Sequence, residues 1–347
     1  MTAPGAVMEE KMKQPYLVDV PVKTNIWIRP DLQRRQFEVI RRARPSELFI
    51  ISDGGRNDEE WKRINESRDM FDSEIDWECK VHKYYADHNY GMYATDDFTN
   101  QVLWSQVDRC VILEDDILPS VSFFEYCREL LEKYKDDTRI SLICGMNHEG
   151  ISENVTADYL FTRYGSIWGV ARWKRTVDDY QKTGYQHDPY AMECLKELLL
   201  SQGRKSHWKH IEEVAQKNAY DGHIPGDEYY MNLAGYAQNQ LMIVPKKNLI
   251  SNIGCDAHAA HSDSLDRLPK GIRRVFNMET YELEFPLKHP DYVFPDLGYE
   301  KRRNRIMAMD HPMVLAWRAL ERSWLILTHD GPDALKKKIQ AVRGSEN

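Results

Sequence analysis

The sequence predicts an α/β fold: a central, mixed but mostly parallel sheet flanked by helices, with a helical appendage at the C-terminal end. From residue 20 to 147, short apolar runs alternate with helical stretches, a pattern typical of βα units. The apolar runs predict strands at residues 25–28, 48–52, 80–84, 110–113 and 140–144.

The clearest predicted helix covers residues 121–134. Pro119 and Ser120 precede it and are typical of a helix start. Charged residues fill one face, and the apolar residues recur at steps of three and four along the other: Val121, Phe124, Cys127, Leu131 and Tyr134.

The sequence after residue 150 is less regular and predicts an α+β half with long loops. Helices are predicted at 189–201 and 206–219, and a strand at 241–244. Two further helical stretches follow residue 301, and one of them, 313–327, carries an apolar stripe with two tryptophans. We divide the chain into a flexible tail, two halves of one body and a C-terminal helical segment: 1–20, 21–147, 148–300 and 301–347.

Composition and charge exclude several classes of protein. Of 347 residues, 42% are apolar and 29% charged, so we expect a large buried core. No stretch approaches the ~18 apolar residues of a spanning helix, and the formal charge of −8 argues against nucleic-acid binding. The N-terminal residues lack a signal-peptide pattern, and the six cysteines include no CxxC pair. We therefore expect a cytosolic protein with reduced, mostly buried thiols.

Three successive carboxylates, Glu114, Asp115 and Asp116, follow the predicted strand at 110–113. In open α/β sheets, ligands bind at the carboxyl ends of the strands. A cluster of like charges favours a bound cation, and oxygen ligands suit Mn²⁺ or Mg²⁺ bridging a diphosphate. The alternative is a solvated acidic loop or a helix N-terminus, where acidic residues are favourable in any case. The motif alone leaves both interpretations open.

Two other segments are candidates for ligand binding. Asp53 follows the predicted strand at 48–52 and could accept a hydrogen bond from a nucleobase or ribose, although Asp-Gly is also ordinary turn chemistry. The run of aromatic and small residues at 164–173 suits either a sugar-binding wall or a packed core.

Two later segments carry acids and histidines. Asp227 and Glu228, in a Gly/Pro turn, could supply a general base or cap a helix. His258 and His261 could contact a diphosphate or a metal, although a lone histidine is more often structural.

The order of these segments resembles that of known enzymes. The matching residues run, in order, through Ile28-Arg29, Ile51-Ser52-Asp53, Glu114-Asp115-Asp116 with Phe123-Phe124-Glu125-Tyr126, Trp168-Gly169-Val170-Ala171-Arg172-Trp173, Asp227-Glu228-Tyr229 and Leu249-Ile250-Ser251-Asn252-Ile253-Gly254. Residues 22–262 thereby resemble glycosyltransferases of the GT-A (nucleotide-diphospho-sugar transferase) fold. The similarity is to the N-acetylglucosaminyltransferase I type and to bacterial polysaccharide glycosyltransferases with a Glu-Asp-Asp (DXD-like) motif.

The resemblance implies an activity and its partners. The enzyme would transfer a hexose or an N-acetylhexosamine from a nucleotide sugar, with inversion at the anomeric carbon. The first choice for the donor is a UDP-sugar. The acceptor would be a hydroxyl group of a glycan, a glycoprotein or a lipid-linked sugar. The setting would be bacterial surface polysaccharide or glycoprotein synthesis. The first half of the body would bind the donor, and the second half would bind the acceptor and carry catalysis.

The resemblance also implies site residues. Mn²⁺ or Mg²⁺ would be held by Asp116 and His261, and the base would be Asp227, our first choice, or Glu228. The nucleotide sugar would contact Arg29, Asp53, Asn89, Glu114, Asp115, Trp168 and Gly169. The sequence departs from the family pattern at the base, because Gly226 replaces an aromatic residue and Glu228 replaces the tyrosine of bacterial relatives.

Two other functions compete with this one. The first is a nucleotide-sugar or glycan-binding module that has lost catalysis. The second is a metal-dependent nucleotidyl- or phosphotransferase, against which the sequence shows no GxxxxGK[ST] loop.

The basic residues of the C-terminal segment also have two interpretations. They form either solvated helix faces or a surface that contacts anionic lipid at the inner face of the membrane. These residues are Lys301, Arg302, Arg303, Arg305 and the run 336–338. The apolar stripe at 313–327 would pack on the body in the first case and face the membrane in the second.

Overall fold

The computed structural model describes residues 13–182, 187–221, 227–255 and 265–344. The strands are β1 Val18–Ile26, β2 Pro45–Ser52, β3 Lys80–Tyr85, β4 Arg109–Leu113, β5 Ile117–Pro119, β6 Ile140–Cys144, β7 Tyr159–Thr162, β8 Val170–Trp173, β9 Leu241–Pro245 and β10 Ile250–Asn252. The helices are α1 Pro30–Ala43, α2 Asp58–Ser73, α3 Met92–Trp104, α4 Ser122–Lys133, α5 Lys174–Lys182, α6 Pro189–Ser201, α7 Lys205–Asp221, α8 Asp227–Ala237, α9 Lys270–Arg273, α10 Leu297–Met307, α11 Pro312–His329 and α12 Pro332–Gly344.

The described part of the chain contains one large sheet and one small one. The large sheet has the order β3-β2-β1-β4-β8-β6-β9-β7. Its first four strands are parallel, β8 is antiparallel to both β4 and β6, and β7 is antiparallel to β9. The small sheet pairs β5 with β10. The predicted α/β class with a mixed, mostly parallel sheet is therefore confirmed.

Most predicted elements occur close to their predicted positions, but the first strand was predicted too late. The prediction placed it at 25–28, whereas β1 covers Val18–Ile26. The error arose because Lys23 and Thr24 interrupt the apolar run, although both are buried in the sheet. By contrast, α6 has its predicted bounds, since Pro189 begins it and the Asp188 side chain accepts hydrogen bonds from the helix N-terminus.

Helices cover both faces of the large sheet. Helices α1, α2 and α4 contribute Phe37, Phe71 and Phe124 to one buried cluster. Helices α3 and α10 contribute Trp104 and Tyr299 to a second cluster, which includes residues of α5 and α8. A third, smaller cluster joins α6, α7 and α8. Burial on both faces explains the nearly continuous apolar character of β2 and β6.

The strand register brings several candidate residues to one edge of the large sheet. Ile26 of β1 pairs with Ser52 of β2, and Thr24 of β1 pairs with Leu113 of β4. The carboxyl ends of β1, β2 and β4 therefore lie side by side. The chain continues from these three ends into Arg29, Asp53 and the acidic residues 114–116.

The cysteines and the C-terminal helices differ in part from the predictions. Cys110, Cys127 and Cys144 are buried, as expected, but Cys194 is exposed, and Cys79 and Cys255 are partly exposed. Three helices, rather than two, follow the body. The described residues contain no helix with both the length and the apolar character needed to cross a membrane.

We expect Phe37→Ala to lower the free energy of unfolding by about 3–5 kcal/mol, because it leaves a cavity in the larger core cluster. Phe37 is fully buried and packs edge-to-face on Phe71 with ring centroids 5.1 Å apart. Urea denaturation would measure the loss. Phe294→Ala, at a side chain that is 64% exposed, is the matched control and should shift stability by less than about 0.5 kcal/mol. Equal losses in both variants would contradict the described core.

Candidate functional site

The three acidic residues form a turn between β4 and β5, which we call the acidic turn (residues 114–116). Its backbone is held from two sides. Gln36 of α1 donates from Nε2 to the carbonyl oxygens of Glu114 and Ile117, each at 2.6 Å. The Ile253 amide donates to the Asp116 carbonyl oxygen at 2.9 Å. The acidic turn is therefore fixed by α1 and by the residues after β10.

A buried polar network orients Gln36. The Thr24 hydroxyl donates to Gln36 Oε1 at 2.6 Å, and Gln33 Nε2 donates to the same oxygen at 3.0 Å. All three side chains are fully buried. The sequence analysis missed this network, although two glutamines on the otherwise apolar face of α1 were a signal that could have revealed it.

Arg29 lies at the start of α1 and joins the acidic turn to the rest of the sheet edge. It binds Asp115 in bidentate fashion, with Nε to Oδ2 at 2.9 Å and Nη2 to Oδ1 at 2.8 Å. Its Nη2 also lies 3.3 Å from Asp116 Oδ2, and its Nη1 donates to the Gly254 carbonyl oxygen at 3.2 Å. The structure thus brings together Arg29, Asp115 and Asp116, an ion pair that the sequence analysis did not predict.

The acidic turn carries more negative charge than Arg29 balances. Burial raises the pKa of Glu114 to about 7, and the neighbouring Asp116 carboxylate adds to this shift. Burial also raises the pKa of Asp115 to about 6, although the Arg29 guanidinium opposes the shift. A bound cation would relieve the repulsion between these carboxylates.

The chemistry of the acidic turn fits a hard divalent cation, because its side chains offer carboxylate oxygens. Asp115 uses both oxygens to bind Arg29. The second predicted metal ligand, His261, lies outside the described residues, as does His258. No group of three or more His, Cys, Asp and Glu side chains arranged to hold a metal is found in the described ranges. A cation here would therefore need ligands in addition to those described.

Gly254 permits the close approach of three segments. A Cβ atom at this position would lie 2.6 Å from the Asp116 Cβ and 2.7 Å from Arg29 Nη1. Real Cβ contacts are not that short, so any side chain here would displace the Arg29 guanidinium or Asp116. Gly254 ends the segment 249–254 that the sequence analysis singled out, and this contact gives a physical reason for a glycine there.

Asp53 and Asn89 meet in a neighbouring loop. Asp53 accepts through Oδ1 from the amides of Gly54 and Tyr90, both at 2.8 Å. Its Oδ2 accepts from Asn89 Nδ2 and from the Gly91 amide, both at 2.9 Å. Asp53 therefore shapes the loop at 88–91. That Asp53 or Asn89 contacts a nucleotide stays a prediction.

Trp168 and Gly169 lie directly before β8, and Gly169 approaches the two strands of the small sheet. Gly169 has a φ of +61°, and a Cβ atom there would lie 3.1 Å from Ile117 and 2.9 Å from Ile250. Both conditions favour glycine. Trp168 packs against Phe276 with ring centroids 5.2 Å apart. This loop supports β5 and β10, and a contact with the nucleotide sugar stays a prediction for both residues.

The two candidate bases lie at the start of α8. The structure gives α8 as beginning at Asp227, whose side chain is outside the described part of the chain, as is Gly226. Loss of solvation raises the pKa of the Glu228 carboxyl, against the opposing charges of His210 and Arg303. Glu228 thus belongs to a neighbourhood with Arg303 that the sequence analysis did not predict.

Comparisons with known proteins gave similar solved structures. No family model matches the chain, and no curated protein matches it. The mannosyltransferase PcManGT from Pyrobaculum calidifontis, in complex with GDP-Man and Mn²⁺, aligns with a TM-score of 0.34 and 9% identity, over 66% of this chain and 72% of that chain. Mouse xyloside xylosyltransferase 1, in its apo form, aligns with a TM-score of 0.33 and 16% identity, over 65% of this chain and 84% of that chain.

We expect Arg29→Ala to destabilise the protein by about 3–5 kcal/mol at pH 8, because it leaves Asp115 buried and unpaired. The loss should be smaller at pH 5. The pKa of Asp115 is already raised to about 6 and would rise further without Arg29, so this group is neutral at pH 5 in the variant.

Urea denaturation at both pH values would measure this effect. Arg35→Ala, at an exposed position of the same helix, is the matched control and should change stability by less than about 0.5 kcal/mol at either pH. A loss in Arg29→Ala that is independent of pH would contradict the described ion pair.

Proposed function

We propose that the chain is a metal-dependent glycosyltransferase of the GT-A fold that transfers a sugar, a hexose or an N-acetylhexosamine, from a nucleotide sugar to an acceptor hydroxyl. The observation that supports it most is the acidic turn, held by Arg29, Gln36 and Ile253 at the carboxyl end of β4. Ligands of open α/β sheets bind at this edge. UDP is the proposed nucleotide.

Asp116 and His261 are the proposed metal ligands, and Mn²⁺ or Mg²⁺ would stabilise the negative charge that develops on the departing diphosphate. Arg29 would hold the acidic turn in one position before the donor binds. Asp115, fixed by Arg29, and Asp53 with Asn89 are proposed to position the ribose and base. A turn that is already in place needs no rearrangement when charge develops in the transition state.

The proposed base is Asp227, with Glu228 as the alternative. The base would take the proton of the acceptor hydroxyl as its oxygen attacks the anomeric carbon in a single displacement, and the bond to the diphosphate would break with inversion. The raised pKa of Glu228 supports its candidacy, because a base works best when its pKa approaches the working pH.

The proposed acceptor is a glycan, a glycoprotein or a lipid-linked sugar, in bacterial surface polysaccharide or glycoprotein synthesis. The proposed location is cytoplasmic, with peripheral contact at the inner face of the membrane. The competing proposal is a binding module on the same scaffold, which would bind donor and cation without turnover.

We expect nucleoside diphosphate release from one donor in a screen of nucleotide sugars, dependent on Mn²⁺ or Mg²⁺ and abolished by EDTA. Asp116→Asn should lower the rate by about 10²–10³-fold, because it removes a charge that the transition state requires. Asp136→Asn, at an exposed position after α4, is the control and should leave the rate unchanged.

Tight binding of UDP and Mn²⁺ with no release from any donor would favour the binding module. Release of pyrophosphate instead of a nucleoside diphosphate would favour a nucleotidyltransferase. Absence of both binding and release would overturn the proposed function.

A comparison of Asp227→Asn with Glu228→Gln should identify the base. Loss of the true base is expected to lower kcat by about 10²–10⁴-fold while UDP binding, measured by calorimetry, stays unchanged. We expect the larger loss in Asp227→Asn. A larger loss in Glu228→Gln would transfer the role to Glu228, and near-normal transfer by both variants would exclude a base at the start of α8.

A further inference from the structure

Helix α11 leaves an apolar stripe uncovered along one side. The stripe consists of Met313, Trp317, Leu320, Trp324 and Leu327, whose exposed fractions are 86%, 68%, 67%, 64% and 39%. None of the 18 residues of α11 is buried. Of the two interpretations of the stripe, packing on the body is therefore wrong for the part of the chain that the structure describes. A continuous exposed apolar surface of this kind marks an interaction site more often than chance exposure.

Polar contacts hold α11 in place through another side of the helix. Glu321 accepts a hydrogen bond from the Lys270 amide at 2.9 Å, and Arg318 Nη2 donates to the Ile306 carbonyl oxygen. These contacts attach α11 to α9 and α10 and leave the stripe facing outward.

An open groove of about 640 Å³ runs beside the stripe, between α9, α10 and α11. Its apolar lining includes Trp317, Leu320 and Trp324 of the stripe. The same groove is also lined by one acidic side chain, Glu321, and by four basic ones: Lys270, Arg274, Arg305 and Arg318. A surface that combines tryptophans with several cations matches the boundary between lipid headgroups and acyl chains.

The charge of the C-terminal helices selects the kind of partner. Residues 297–344 contain ten Lys and Arg against five Asp and Glu, although the whole chain has a formal charge of −8. Three of the lysines, at 336–338, lie on α12, which packs against α11. A basic surface on an acidic protein is complementary to an anionic one, and each basic residue near an anionic membrane adds to the attraction.

A second copy of the chain fits the stripe less well. The apolar positions have the four-and-three spacing of a coiled coil, but they extend over 15 residues from Met313 to Leu327. Sustained heptads over at least about three repeats are expected for a coiled coil. Pairing two copies through this helix would also bring two basic surfaces together.

We propose that the stripe of α11 and the adjoining groove dock the protein on an anionic phospholipid bilayer. Trp317, Leu320 and Trp324 enter the interface, while the basic side chains of the groove and of α12 contact lipid phosphates. This proposal deepens the peripheral membrane contact named under the proposed function by assigning it to specific residues, and it does not depend on sugar transfer. If both hold, docking places the enzyme where lipid-linked acceptors are presented.

Flotation of the full chain with vesicles tests the proposal. We expect binding to vesicles that contain phosphatidylglycerol, weaker binding to vesicles of phosphatidylcholine alone, and a decrease in binding as salt is raised. Trp317→Ser with Trp324→Ser should weaken binding by about tenfold or more, since both side chains would enter the interface. Replacing the three lysines at 336–338 by glutamine should reduce the preference for anionic vesicles.

The control is Tyr292→Ser with Phe294→Ser, two aromatic side chains that are 73% and 64% exposed outside α11. This variant should bind vesicles as the unchanged protein does. The urea midpoint should be unchanged in all variants, because the substituted side chains are exposed.

Two outcomes would overturn the proposal. One is that the double variant Trp317→Ser, Trp324→Ser binds vesicles as well as the unchanged protein does. The other is that the unchanged protein does not bind anionic vesicles. A dimer in analytical ultracentrifugation that the tryptophan variant loses, without vesicle binding, would assign the stripe to a second copy and also overturn it. Flotation measures binding and not transfer, so this proposal and the proposed function can fail separately.

Discussion

The bidentate ion pair between Arg29 and Asp115 is the contact on which the candidate site depends. The ion pair joins residues that are 86 positions apart in the chain. The same guanidinium also reaches the carbonyl oxygen of Gly254, which lies 225 positions after Arg29. Because Arg29 is buried, loss of its partners would leave a charge without compensation in the protein interior. The start of α1, the acidic turn and the end of the 249–254 segment are thereby held together before any ligand binds.

The polar network around Gln36 extends this fixed arrangement into the core. A buried amide whose oxygen and nitrogen both have hydrogen-bond partners is held in one orientation. Here Thr24 and Gln33 donate to the Gln36 amide oxygen, and its nitrogen donates to two carbonyl oxygens that flank the acidic turn. Gly169 allows close contact between a loop and the two strands of the small sheet. These contacts to the backbone of the acidic turn thus act together with the Arg29–Asp115 ion pair in positioning the carboxylates.

The chain carries opposite charges in two places. In the acidic turn, burial raises the pKa of Glu114 and Asp115, and the neighbouring Asp116 carboxylate adds to both shifts, whereas the helices after residue 297 are basic. Each surface suits a different proposed partner. A diphosphate and the acidic turn are both negatively charged, so a diphosphate can approach the turn only when a cation lies between them. An anionic bilayer, by contrast, is attracted directly to the basic helices α11 and α12. Segregated charge of this kind lets an acidic protein have a basic surface without changing its net charge.

The sequence by itself determined the α/β class, the bounds of α6, the strands β2, β6 and β9 to within a few residues, and the placement of Asp53 and the acidic residues 114–116 at the carboxyl ends of strands. These features follow from local periodicity and from the rule that parallel strands end at one edge. Tertiary structure decided the length of β1, whose Lys23 and Thr24 are buried by neighbours distant in sequence. Tertiary structure also determined which residues form the hydrogen-bond network around Gln36 and that the Asp53 carboxylate bonds to residues of its own loop. It determined as well that the α11 stripe faces outward. Periodicity shows which residues share a face of a helix, but only the packing of the whole chain determines what covers that face.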